Sequence, residues 1–202
     1  MERFIFVRHG ETSKNVKDVM HNSDDTELLT SAGVDQIEKT AEKLKEYSPS
    51  RVYSSKEARA IQSGELIAGK LSIELEPIDG MQERNWGELS NKPWSEVQKI
   101  LDPMSLEERY EYIPPGGESW RQFEGRLIKA VSSIIENSKD ETIVIVTHGG
   151  AIRALMPYLL GAPKEESFKH SPDNASITVF NQNNGALIQE IVNDTAHLQP
   201  KS

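Results

Sequence analysis

An apolar run, Phe4-Ile5-Phe6-Val7, breaks off at Arg8-His9-Gly10, and this break constrains the fold more than any other feature. Aromatic and β-branched side chains without polar alternation suit a strand buried on both faces. The design returns at Thr142-Ile143-Val144-Ile145-Val146, which ends in Thr147-His148-Gly149-Gly150. Two such strands side by side place His9 and His148 at the carboxyl edge of a sheet, where open α/β folds bind ligands. The adjoining glycines let backbone approach a ligand closely.

The rest of the chain alternates helix and strand patterns. Ser13 to Asp25 is polar and reads as a loop. Thr30 is a helix N-cap, followed by Val34, Ile37, Ala41 and Leu44 at helical spacing. Arg51 to Ser54 reads as a strand, and Ser55 as the cap of a helix running to Gly69. Ser72 to Leu75 reads as another strand. Residues 79–117 are irregular and read as a lid-like insertion over the sheet edge, with short helices near Trp94–Leu101 and Leu106–Tyr110. Ser119 and Gln122 make a capping box for a helix that buries Trp120, Phe123, Leu127, Val131 and Ile134. A helix from about Ala151 to Leu160 follows the second histidine strand. Asn183-Asn184-Gly185 is a hairpin turn between Ile177–Phe180 and Ala186–Val192, and the tail after Asp194 reads as frayed. The expected fold is one α/β domain over residues 1–202. It is a three-layer α/β/α sandwich on a mostly parallel sheet, with one antiparallel edge strand.

Composition narrows the function. With no cysteine, disulfides and thiolate metal sites are out, and a cytoplasmic location is the expectation. No apolar run reaches the ~20 residues of a membrane span, and the start lacks a signal-peptide pattern. A net charge of −9 argues against a nucleic-acid surface. It does not argue against a small anion, which local arginine and backbone N–H groups can hold. Arg8 offers a fork of donors that matches phosphate or carboxylate. Zinc on two histidines wants a third ligand, and Arg8 would repel a dication, so the pair reads as an anion site without metal.

Arg8-His9-Gly10-Glu11-Thr12 with Asn15 resembles the signature of the histidine phosphatase superfamily, the phosphoglycerate mutase-like proteins. Ser54-Ser55 through Arg59-Ala60-Ile61-Gln62-Ser63, Gln82-Glu83-Arg84-Asn85-Trp86-Gly87, Gly116-Gly117-Glu118-Ser119 and Thr147-His148-Gly149-Gly150 resemble its later motifs, in the family's order. The resemblance implies that neutral His9 attacks phosphorus to give a phosphohistidine. It implies that Arg8, Asn15, Arg59, His148 and Gly149 hold the phosphate oxygens, His148 best when protonated. Glu83 would protonate the leaving oxygen and then activate water. The implied substrate is a small phosphorylated metabolite, no metal or organic cofactor is called for, and homodimers are common among relatives.

Within the superfamily, the stretch Glu107-Glu108-Arg109-Tyr110-Glu111-Tyr112-Ile113-Pro114-Pro115 has one arginine where the mutases have an Arg-Arg pair, and acidic neighbours disfavour a bisphosphate. The phosphatase branch is therefore expected. The alternatives are a 2,3-bisphosphoglycerate-dependent phosphoglycerate mutase and a phosphate-binding regulatory protein without turnover. Arg59 has a second reading, an exposed ion pair on a solvated helix. Glu11 and Thr12 order the loop or touch phosphate. Most of Trp86, Trp94, Tyr110, Tyr112 and Trp120 are expected to pack the insertion on the core, one or two of them to face the substrate, and His21, His170 and His197 to lie on the surface.

Overall fold

The computed structural model describes residues 2–22 and 25–199. Met1, Ser23, Asp24 and residues 200–202, included in the expected loop, tail and domain span, lie outside them. Strand β1 (Glu2–Arg8) sits centrally, as its double-sided burial demands. It pairs in parallel with β4 (Thr142–Thr147), with Arg8 opposite Thr147. Beyond β4 lie β2 (Arg51–Ser55) and β3 (Leu75–Ile78), both parallel to it. On the other side β5 (Ile177–Asn183) runs antiparallel to β1 and pairs with β6 (Ala186–Asp194). The order among the described residues is β3-β2-β4-β1-β5-β6.

Alternation along β1 builds the layers. Phe4 and Phe6 join the core beneath α6 (Trp120–Asn137) and α7 (Gly149–Leu160). Ile5 and Val7 join that beneath α2 (Ser31–Leu44) and α3 (Ala58–Leu71). The three-layer sandwich follows. Thr30 caps α2 through Gly33 N, and the Ser119–Gln122 capping box opens α6. All five apolar positions named for α6 are buried. Within residues 79–117, α4 (Trp94–Leu101) and α5 (Leu106–Glu111) form. Val97, Leu101, Trp86 and Leu89 make a third small core there, joined by Met20, Trp94 and Tyr112. Tyr110 and Trp120 pack into the α6–α7 core instead.

Several expectations are corrected. The segment from Ser13 opens with a helical turn, α1 (Ser13–Val16), because Thr12 and Asn15 form a capping box. The third strand lies at Leu75–Ile78, not 72–75, because Ser72 takes a left-handed cap of α3. The antiparallel strand is β5, one place in from the edge, while β6 is the edge strand and parallel to β1. The described tail is docked. Ala196–Leu198 turns back, Leu198 packs on the α2–α3 core, and His197 Nε2 meets Thr40 Oγ1 at 2.9 Å.

Candidate active site

The carboxyl ends of β1, β2 and β4 converge on a cavity of about 190 Å³ lined by Arg8, His9, Asn15, His21, Arg59, Glu83, Gly149, Gly150, Arg153, Ser171 and Pro172. Parallel pairing brings the two histidines together. His9 N donates to Thr147 O at 2.9 Å, and the His9 and His148 ring centroids are 5.2 Å apart.

His9 is buried, and its Nδ1 lies 2.7 Å from Gly10 O. That contact makes Nδ1 the N–H donor. Nε2 is then the acceptor, and Arg59 Nε points at it from 3.2 Å. Burial first, then the guanidinium groups of Arg59 and Arg8, hold the imidazole pKa well below its usual range. The ring is thus held neutral with its one lone pair on Nε2, where only the Arg59 N–H meets it among the described residues, the form a nitrogen nucleophile needs once a phosphate takes up that guanidinium.

Arg59 does pair with a carboxylate, but both partners are buried. Its Nη2 meets Glu57 Oε2 at side-chain exposures of 1% and 3%, which replaces the exposed pair with a buried one. Glu57 Oε2 also lies 3.1 Å from His148 Nε2. Burial, opposed by Arg59, raises the Glu57 pKa to about 7. Ser55 does not cap α3, whose N-cap is Glu57. Its hydroxyl instead sits 2.9 Å from His148 Nε2. Burial, with Arg59 and His9 adding to it, holds the His148 pKa well below its usual range, which favours the neutral ring over the expected protonated one. Its Nδ1 has no partner among the described residues.

Arg8 Nη1 donates to Pro172 O at 2.7 Å. Asn15 Oδ1 accepts from Thr12 N and from Asn174 Nδ2, each at 3.1 Å, which makes the amide NH₂ its ligand-facing donor. Thr12 therefore orders the loop. Glu83 is clamped at the start of α7. Oε2 accepts from Gly150 N and Oε1 from Arg84 N, both at 2.9 Å. A Cβ on Gly150 would overlap Glu83 Oε1. Gly150→Ala is therefore expected to leave α7 folded but displace the carboxylate, lowering kcat/KM about 10²-fold in steady-state assays.

Of the catalytic and phosphate-binding residues expected from the sequence, the cavity gathers Arg8, His9, Asn15, Arg59, Glu83 and Gly149, while His148 is fully buried next to the His9 ring. Reasoning from sequence missed three others. His21, expected on the surface, lines the cavity 5.9 Å from the His9 ring centroid and meets Thr12 Oγ1 at 2.9 Å. Burial, then Arg59, pushes its pKa down to about 3. It sits in a loop, where no periodicity marks it. His170 and His197 are also half-buried rather than exposed. Arg153 is the one charge within Gly149–Leu160, four residues after Gly149, and that spacing was a usable signal. Glu57 was hidden in a charged stretch that reads as solvated. Among the described residues no group of three His, Asp or Glu gathers to hold a metal.

These shifts make folding sensitive to acid. Below pH 6.5 the unfolded chain binds protons at His9, His21 and His148 that the folded chain refuses. Their contribution, full above pH 6.5, is lost as pH falls. Glu57 acts oppositely: its contribution is full below pH 4.5 and lost as pH rises through about 7, which offsets one histidine. The expected net loss near pH 5.5 is about 2 kcal/mol per pH unit, read as a falling urea midpoint.

The model of the histidine phosphatase superfamily (branch 1) matches residues 4–195. "Phosphoglycerate mutase-like protein 4" of Arabidopsis thaliana is 34% identical over 96% of this chain and 86% of its own. The "Metal-independent phosphoserine phosphatase" of the same plant is 30% identical over 96% and 82%. Among solved structures, a phosphoserine phosphatase from Entamoeba histolytica in complex with 3-phosphoglyceric acid superposes with a TM-score of 0.85 at 25% identity, over 98% of this chain and all of that one.

Proposed function

The chain belongs to branch 1 of the histidine phosphatase superfamily, and from that premise we propose that it is a metal-independent phosphomonoesterase acting on small phosphate esters through a phosphohistidine. One observation carries this reading. His9 is held as the Nδ1–H tautomer by Gly10 O, with its Nε2 facing Arg59 in a cavity that Arg8 and Glu83 also line.

The phosphoryl group enters with its ester oxygen toward Glu83. Arg8 and Arg59 meet the non-bridging oxygens, with the Asn15 amide and the Gly149 end of α7 beside them. His148 adds its unpartnered Nδ1, and a dianion favours its charged form against the burial that keeps it neutral. Phosphoryl transfer depends mainly on such positioning and charge. His9 Nε2 attacks phosphorus, the P–O bond breaks, and Glu83 gives its proton to the leaving oxygen. Glu83 then takes a proton from the water that attacks the phosphohistidine. Residues 79–117 act as a lid that selects the leaving group.

Phosphate release from a panel of small phosphomonoesters in excess chelator tests the reading. Release that persists under chelation supports it. Release that stops and returns with added metal contradicts it. Absence of release together with 2,3-bisphosphoglycerate-primed exchange of 2- and 3-phosphoglycerate replaces it with the mutase.

A further inference from the structure

A second cavity of about 190 Å³ adjoins the first, lined by Trp86, Trp94, Trp120, Phe168 and neighbouring polar groups. The two cavities share one lining residue, Arg153. Its guanidinium lies over the rings of Trp120 at 4.9 Å and Phe168 at 5.6 Å. Its Nε is buried without a partner, and among the described residues the side chain has no ion pair or hydrogen bond.

The other arginines of these cavities are engaged. Arg8 donates to Pro172 O, Arg59 holds Glu57, Arg84 donates to Glu118 O and Tyr112 O, and Arg109 pairs with Asp102. A buried cation without a counter-ion is costly and signals one supplied by a ligand. The phosphate does not need to supply it, since Arg8 and Arg59 already line that position beside His9. Arg153 and Glu83 line the same cavity, and the Glu83 charge opposes the burial that lowers the Arg153 pKa, so the cation faces the space into which Glu83 would deliver a proton.

We infer that Arg153 and the Trp86–Trp120–Phe168 cleft form a leaving-group subsite for phosphomonoesters that carry a carboxylate within a few atoms of the ester oxygen. One free guanidinium matches one monoanion, and its planar fork fits a carboxylate. A second phosphate would find no further free cation there. The aromatic faces take the body of the leaving group. The inference rests on the phosphomonoesterase reading, since it takes the ester oxygen to face Glu83.

Binding measured without turnover separates the two. Isothermal titration of the intact protein compares 2-carboxyethylphosphonate with propylphosphonate, whose P–C bonds are not cleaved. The wild type is expected to prefer the carboxylate at least tenfold. Arg153→Met is expected to cut that ratio below threefold, and Arg153→Lys to restore part of it. Equal affinities in the wild type, an unchanged ratio in Arg153→Met, or a parallel loss of both ligands would each overturn the assignment; a purely structural role gives the parallel loss. Discrimination by a protein that releases phosphate from no ester would uphold the subsite and overturn the phosphatase reading.

Discussion

His9→Ala is expected to abolish phosphate release, with kcat falling about 10⁴–10⁶-fold, the loss seen when a covalent nucleophile is deleted. No neighbour replaces it. His148 is fixed by Ser55 and Glu57 on its Nε2, and the His21 Nε2 is occupied by Thr12 and Glu27. The fold should tolerate the change. His9 donates through its backbone to β4, which alanine preserves, and its side chain faces a cavity rather than an apolar core. Circular dichroism and inorganic phosphate binding should therefore stay near wild type. Turnover that persists in folded His9→Ala would remove His9 from the chemistry.

Glu83→Gln is expected to lower kcat about 10²–10⁴-fold on alkyl phosphates, the usual contribution of a general acid–base group. Glutamine keeps an acceptor for Gly150 N or Arg84 N, so the change removes the proton more than the geometry. The two half-reactions should separate by leaving group. p-Nitrophenolate needs no proton to depart, so the first step survives with p-nitrophenyl phosphate. Water attack on the phosphohistidine, which needs the base, does not. A burst of one p-nitrophenol per site followed by slow turnover is expected in stopped flow. Equal slowing of burst and steady state would place Glu83 outside the acid–base role.

The central strands were legible because their message is local. Phe4-Ile5-Phe6-Val7 and Ile143-Val144-Ile145-Val146 are buried on both faces whatever surrounds them, and their abrupt ends fix where His9 and His148 fall. The Ser119–Gln122 box and the short helices after Pro93 and Ser105 were equally local. What sequence reasoning missed depends on long-range closure. His21 reaches the cavity because α1 turns the loop back and Met20 is tied to residues 91 and 92 by backbone hydrogen bonds. Glu57 becomes buried only once Arg59 and His148 close over it. Ser55 reads as a cap until β4 brings His148 beside it. The antiparallel strand is β5 and not an edge strand because its hairpin partner β6 pairs along its outer side.

The most direct test of the phosphohistidine is to catch it. Acid-sensitive, base-stable protein-bound phosphate should appear within one turnover of mixing enzyme with ³²P-labelled substrate and quenching in alkali, and peptide mapping should place it on His9. The expected result is label at His9 in the wild type, accumulated label in Glu83→Gln and none in His9→Ala. Phosphate release with no bound label at any quench time in either the wild type or Glu83→Gln, or label that maps to His148 or His21, would contradict it.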